Sequence, residues 1–596
     1  MKIERVARNL LGVVALCGLL VSAGCTGTLS SALDSGSSTL PSVNVPTPGD
    51  WGSSLLAGGT VGIGMFPAKF TFDVTAAPDC FKDYVAFNTS LVAGAASPSI
   101  VAYDNLYSTQ PAAGGLCGTA GPSVKWAYRV TSAGNPVTSV VLSGDGTRVA
   151  FVESRAAGTG AILHILKWKP GAAAAVQGTL GAPALPDTTM AAGMAWNTTN
   201  CPAPNSCIVN ITFNNLQAAT RSAPFYDYGT DILYVGDDNG VMHKFTGVFL
   251  GIPAESCAAG CGVVNANWPI TVNVAGTILT SPVFDGVSLN LFVGDSTGRL
   301  SFIKEVGSKV GAGTCAVAGV AAPTPCLGTA HVQVGVGGAI VDSPIVDGTT
   351  GKVLAVNGKE TTNNGTIMQA NTDLLTGVTT AALGKIGGNL ANTSNIYSGA
   401  FDNAYFASGP ATGHMYVCGK DPNFNDRPSI YQLMFDAGGT FTALSAPLIN
   451  LVAASIQACS PVTEFFNPNG AAAGVARDWI FFSFGQHASA GNPIPAGSCR
   501  SSGGTGCLMS INVTGEPAWP PTAAAAAALS VAVAVPTNVA GGTSGIVVDN
   551  TSTLGQASSI YFSLGTNSTG AGPGLPSCNT TAGVGCAVKL TQLLLN

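Results

Sequence analysis

A repeated segment limits how this chain can fold more than any other feature. Ser222-Ala223-Pro224-Phe225-Tyr226-Asp227 is followed by Leu233-Tyr234-Val235-Gly236-Asp237-Asp238-Asn239-Gly240. The same order returns as Ser281-Pro282-Val283-Phe284-Asp285 and Leu291-Phe292-Val293-Gly294-Asp295-Ser296-Thr297-Gly298, 58 residues on and with no gap (285 − 227). A third copy carries Asp347 and Val353-Leu354-Ala355-Val356-Asn357-Gly358, 62 residues further (347 − 285). Weaker copies centre on Asp402, Glu464 and Asp549. Upstream, Thr138-Ser139-Val140 precedes Val149-Ala150-Phe151-Val152, and a degenerate first unit holds Tyr84-Val85-Ala86-Phe87 and Ile100-Val101-Ala102-Tyr103.

Each unit is a set of short Val, Ile, Phe and Tyr runs bounded by Gly, Asp, Asn and Pro, which are strand and tight-turn signals. A small antiparallel sheet of this kind cannot bury both faces alone. Radial stacking against neighbours solves that and leaves only short edges, which is a β-propeller. The expected fold is therefore all-β: about eight four-stranded antiparallel blades, or seven, since the first unit lacks a clear second strand. The apolar run from Ala523 to Val535 is bracketed by Pro521 and Pro536. It is too short to span a bilayer and reads as a loop running into a strand.

The pattern Ser-Pro-x-x-Asp followed by Tyr/Phe-Val-Gly-Asp-x-x-Gly resembles the repeat of the PQQ-like, quinoprotein-type β-propellers over residues 65–596. Trp126-Ala127-Tyr128-Arg129-Val130 resembles that family's Trp-headed inner strand, with Trp268 and Trp519 similarly placed before later units. The resemblance implies the fold. For an oxidoreductase of the family it would also imply adjacent cysteines, a stacking Trp, and acid and amide ligands for Ca²⁺ beside a quinone. The chain has no adjacent Cys pair and lacks the family's full Ala-x-Asp-x-x-Thr-Gly stretch. No cofactor is expected on that basis.

The N-terminus gives the address. Lys2, Arg5 and Arg8 precede the apolar run Leu10 to Leu20, and Ser22-Ala23-Gly24-Cys25 follows. This is the order of a secretory signal peptide. Its end resembles a bacterial lipobox, with Ser22 in place of the usual Leu, which implies lipidation of Cys25. Thr26 after that Cys resembles outer-membrane sorting. The expected division is a signal peptide over 1–24, a lipid-anchored Ser/Thr/Gly/Pro-rich tether over 25–64, and a propeller over 65–596. The protein is then an exported cell-envelope lipoprotein, facing periplasm or cell surface, that touches the membrane through its anchor only.

Sixteen Cys occur. Setting aside Cys17 and Cys25 leaves fourteen, an even number in an exported chain, and so a disulfide framework. The economical pairing joins neighbours: Cys80/Cys117, Cys201/Cys207, Cys257/Cys261, Cys315/Cys326, Cys418/Cys459, Cys499/Cys507 and Cys578/Cys586. Cys257 and Cys261 could chelate a metal, but no His or second close Cys pair accompanies them at zinc spacing.

No other candidate carries chemistry. Gly294-Asp295-Ser296-Thr297-Gly298 matches Gly-x-Ser-x-Gly, yet a strand pattern follows where a nucleophile elbow needs a helix. The five His do not pair at metal spacing, and His164 and His243 are expected on solvated outer rims. Asp227, Asp285, Asp347, Asp402, Glu464 and Asp549 recur at one blade position and read as turn residues that bond the backbone. With 9% charged residues and net charge −6, no basic stripe exists for nucleic acid. Catalytic, cofactor and metal residues are all expected to be none. The reading is a non-enzymatic binding or scaffolding platform with a monomeric body, its partner a protein or a surface glycan. The alternatives are a quinoprotein-like oxidoreductase and a carbohydrate-binding or lyase-type propeller.

Overall fold

The computed structural model describes residues 50–59, 64–73, 77–110, 112–155, 158–171, 177–215, 219–257, 268–305, 326–360, 364–379, 383–387, 395–421, 428–447, 459–468, 476–484, 507–514, 519, 530–533, 543–550, 558–564 and 584–591. These residues build eight antiparallel blades. Blade 1 is Ala68–Phe70, Tyr84–Asn88, Ile100–Asp104 and Ser123–Tyr128, ordered from the inside outward. Blade 2 is Val141–Leu142, Arg148–Ser154, Ile162–Lys167 and Cys207–Thr212, with Thr188–Met190 added parallel to its edge. Blade 3 is Phe225–Asp227, Ile232–Gly236 and Val241–Thr246, then the short pieces Ala254–Glu255 and Ile270–Thr271. Blade 4 is Val283–Asp285, Asn290–Gly294, Arg299–Lys304 and Cys326–Gln333. Blade 5 has Ile345–Asp347, Lys352–Asn357 and Thr366–Asn371, with Lys385 bridging Thr366 at its edge. Blade 6 is Ala400–Phe401, His414–Lys420, Pro428–Phe435 and Phe441–Leu444. Blade 7 is Thr463–Asn467, Arg477–Phe484, Cys507–Asn512 and Ser530–Val533.

Blade 8 closes the ring with both ends of the chain. Its inner strands are Val547–Asn550, Ser558–Leu564 and Val584–Thr591, and its outermost strand is Trp51–Ala57. Trp51 pairs with Lys589 and Gly52 with Val588. The tether expected over 25–64 therefore gives up a strand to the propeller. The Gly- and Ser-bearing WGSSLLA segment looks like linker until it meets a partner more than 500 residues away.

Side chains along a strand alternate between its two faces, and here the two faces belong to different cores. Met415 and Val417 join blade 5, while Tyr416 and Cys418 join blade 7. Ile480 and Phe482 face blade 6, and Trp479 and Phe481 face blade 8. Eight such cores follow one another around the ring, one between each adjacent pair of blades. The last holds Trp51, Tyr103 and Tyr561 and joins blade 8 to blade 1. Eight cores decide the blade number at eight. Sandwiching also explains why middle strands such as Tyr84–Asn88 and Asn290–Gly294 are buried at every residue.

Two details correct the sequence reading. Trp126 lies on the outermost strand of blade 1, not an inner one. There it fills the core between blades 1 and 2, against Tyr84 and Tyr128. The degenerate first unit supplies the second and third strands of its blade, the first being the three-residue Ala68–Phe70.

Three disulfides join Cys80 to Cys117, Cys201 to Cys207 and Cys418 to Cys459, as neighbour pairing expects. Cys257, Cys326 and Cys586 are also disulfide-bonded. Their expected partners Cys261, Cys315 and Cys578 lie outside the described residues, as do Cys25 and Cys499; of Cys507 only the strand is described. Among the described residues no helix is long and apolar enough to cross a membrane.

Candidate functional site

The topology gives the ring two unlike faces. Each inner strand is entered from one face and leaves through its first hairpin turn on the other. The entry segments converge on the axis and bond to one another. Phe66 N donates to Ser139 Oγ (2.9 Å), and Ala223 N donates to Ser281 Oγ (2.7 Å). Ser398 Oγ donates to Ser343 O (2.7 Å), Val462 N to Ser398 O (3.2 Å), and Gly545 N to Met65 O (2.8 Å). These bonds form a collar that joins entry segments at five of the eight blade junctions.

The collar encloses a funnel of about 560 Å³, lined by residues from Gly64 to Tyr397 in the entry segments. Its polar groups are held from behind. Ser296 Oγ accepts Ile278 N (3.0 Å), and Ser139 and Ser281 accept the bonds just given. A hydroxyl that accepts a backbone N–H keeps its own proton to give. The funnel wall thus offers fixed hydroxyl donors, interleaved with Ile278, Leu279 and Ile340.

Two charged side chains break the repeat at this wall. Five residues before the recurring acid, blades 3, 4 and 8 carry Ser222, Thr280 and Ser544. Each hydroxyl accepts an N–H from its own second strand, from Gly236 (2.9 Å), Gly294 (3.0 Å) and Ser563 (2.9 Å). Blade 5 has Asp342 there. Its carboxylate accepts Ser343 N (2.9 Å) and, across the blade junction, Ser398 N (2.9 Å). Burial pushes this carboxyl above the usual range, against the pull of those hydrogen bonds. One residue earlier, blade 3 carries Arg221 where the other two have Leu279 and Thr543. Arg221 is 69% exposed at the funnel, with Nε 3.5 Å from Asp238 Oδ2. Tyr397 adds a phenol whose burial raises it above the ordinary tyrosine range.

The sequence motif already contained the Ser and Thr of the collar, but not their convergence. Nothing local marked Arg221 or Asp342, because only alignment of blades shows that they depart from the pattern.

Apart from Ser296, which lines the funnel, the other sequence candidates lie away from this wall. Asp227, Asp285 and Asp347 serve as turn residues on the opposite face. They accept from Gly229 N (2.9 Å), Val287 N (3.1 Å) and Thr349 N (2.9 Å) respectively. Asp402 caps the helix Asn403–Ala407 through Tyr405 N. Glu464 instead faces Asp478, and burial together with that neighbour raises it to about 9. Ser296 of Gly-x-Ser-x-Gly sits in a hairpin whose Asp295 accepts Thr297 N and Arg299 N, with a strand on either side.

His164 and His243 correct the expectation of solvated rim positions. Both stand on third strands, covered by a further strand, and are 1% and 0% exposed. His164 Nε2 is 2.7 Å from Glu153 Oε2. His243 Nδ1 is 2.7 Å from Glu255 Oε1, with Asp237 Oδ2 3.4 Å from Nε2. Burial alone would pull His243 down, but the two carboxylates outweigh it and hold the imidazolium above the usual range. These are buried polar clamps within blades. The carboxylate partners sit 11 and 12 residues away, and only strand pairing brings them close.

No protein-family model and no curated protein matches the chain. Solved structures similar to it are propellers of low identity. Sqt1 from Chaetomium thermophilum shares 10% identity at a TM-score of 0.43, covering 90% of this chain and 100% of that one. A putative 6-phosphogluconolactonase from Bacteroides fragilis shares 12% at 0.31, covering 66% and 89%. BamB from Moraxella catarrhalis shares 9% at 0.26, covering 70% and 96%.

The funnel wall does not fit the quinone and Ca²⁺ of a PQQ-dependent enzyme. Among its described lining residues there is one carboxylate, Asp342, already tied to two N–H groups, and no Trp face. Among the described residues no three His, Cys, Asp or Glu are grouped to hold a metal ion.

Proposed function

We propose that this protein is an exported, Cys25-anchored envelope lipoprotein that works as a rigid binding platform, with the axial funnel as its recognition surface. The observation that carries the reading is the pair Arg221 and Asp342. They place opposite charges on a wall whose other blades repeat neutral residues, and departures from a structural pattern concentrate where function is. Around them the hydroxyls are fixed by backbone bonds, so they can recognise a ligand without reorganising. No His and no second carboxylate stands in the described lining to act with Asp342 as an acid–base pair. The favoured ligand is a polar segment of another envelope protein carrying both an acidic and a basic group. The formed disulfides accord with an oxidising compartment.

Photo-crosslinking in cells tests this. A benzophenone residue in place of Asn395 at the funnel should give a discrete protein adduct, and Arg221→Glu should remove it. An adduct indifferent to Arg221→Glu, or quinone-dependent dye reduction by the purified protein, would overturn the reading.

A further inference from the structure

The face opposite the funnel is built differently. Fifteen large apolar side chains stand exposed among the described residues. Ten lie on the turns that join first to second and third to fourth strands, all on this face, and include Phe72, Phe81, Tyr228, Leu250, Val287 and Phe406. Only Val92, Val274 and Val336 lie on the funnel face, and Leu185 and Met194 sit on the long excursion of blade 2. Leu250 and Val287 are 74% and 76% exposed at the tips of separate blades. These side chains stand on separate turns rather than in one contiguous patch, and what needs an explanation is their bias to one face.

The chain path supplies one. Strand Trp51–Ala57 runs antiparallel to Val584–Thr591, so its first residue lies at the turn face. Asp50 Oδ1 accepts Thr591 N there (2.7 Å). The segment leading back to Cys25 therefore enters the propeller on the apolar face. The 25 residues from Cys25 to Gly49 can span at most about 90 Å, and they leave from this face. An anchor at Cys25 would keep this face close to the bilayer that holds it.

We propose that the turn face rests on the lipid surface, its apolar tips entering the headgroup region, while the funnel opens away from the membrane. The inference rests on the proposed Cys25 anchor. Single apolar side chains on separate turns suit a fluid layer that can receive each one, whereas a rigid protein partner would call for one continuous patch. The turn acids are spent on backbone N–H groups, as with Asp227, Asp285 and Asp347. Cations also stand at this face: Lys82 over the Phe72 ring (4.1 Å), with Arg148, Lys167, Lys304 and Lys352 at strand ends.

The test uses the full lipidated chain in vesicles of phosphatidylethanolamine and phosphatidylcholine, followed by amide hydrogen exchange. Turns 226–231, 248–252 and 286–289 should exchange about tenfold more slowly than in detergent, while turns 238–240 and 296–298 do not change. Leu250→Ser/Val287→Ser should abolish that slowing with the chain still anchored, and Val274→Ser should leave it intact. All three altered side chains are exposed, so folding is preserved. An anchored chain with no slowing, or equal slowing on both faces, overturns the docking and leaves the anchor standing. Slowing that appears without vesicles and grows with protein concentration assigns the face to a second copy and also overturns it. A Cys25→Ser chain that stays in the membrane fraction like wild type overturns the anchor, and the docking argument with it.

Discussion

Trp51→Ala tests whether the ring is closed as described. Trp51 is fully buried between Tyr103 and Tyr561, with ring centroids 5.9 Å and 6.1 Å away. Its Nε1 donates to Leu106 O (3.0 Å). Truncating a buried Trp to Ala costs about 3–5 kcal/mol. The lost hydrogen bond adds little, because Leu106 O still receives Lys589 Nζ at 2.8 Å. The cost falls on one strand pair, since Trp51–Ala57 meets the rest of its blade only through Val584–Thr591. At about 1.4 kcal/mol per decade, a loss of about 4 kcal/mol predicts roughly 10³-fold faster opening of that pair. Native-state amide exchange reads it directly. Backbone amides of 52–54 and 586–588 should accelerate by that factor, while those of Asn290–Gly294 in blade 4 should not move. Trp51→Phe, which keeps a ring in the pocket, should accelerate the seam far less. Unchanged exchange at the seam, or equal acceleration in every blade, would refute velcro closure by the N-terminal strand.

Three further outcomes follow from buried charge. Lys589 lies fully buried beneath blade 1, and burial pulls its ammonium down to about 7. The folded state thus favours the neutral amine, so this stability is present above the ordinary lysine range and lost as pH falls to about 7. Lys589→Met should lack the rise in seam stability that wild type shows from pH 7 to about 10 in pH-dependent unfolding. Glu464 has the opposite sign: its raised pKa favours the neutral acid, so stability present below the ordinary glutamate range is lost as pH rises to about 9. Glu464→Gln should flatten that alkaline decline in a thermal melt series. His243→Ala leaves Asp237 and Glu255 buried without their imidazolium, and should cost about 3–5 kcal/mol in urea unfolding at pH 6. A loss below about 1 kcal/mol would show that the clamp is not a charge pair.

The blade frame was legible because blades 3 and 4 repeat the same local chemistry, a Ser and Pro entry, an acid and a Val-Gly-Asp hairpin, and blades 5 to 8 keep the Ser-Pro or Ser-Gly entry and the acid. All eight units coincide with blades, and the disulfides that can be seen join the neighbours expected. What stayed hidden depends on distance along the chain. Trp51–Ala57 reads as linker because its partner comes from the other terminus. His164 and His243 read as rim residues because the strands that cover them, Cys207–Thr212 and the two short edge pieces of blade 3, carry no repeat signature. Arg221 and Asp342 read as loop residues because their significance is a difference between blades, seen only once the entry segments meet at the axis.

Intact native mass spectrometry of the protein extracted from its own membrane tests the account most directly. A chain that begins at Cys25, carries the mass of a lipid modification, keeps its disulfides and holds no small molecule is the result predicted for an anchored binding platform. A chain with an unmodified Cys25, or one carrying the extra mass of a quinone and Ca²⁺, would contradict it.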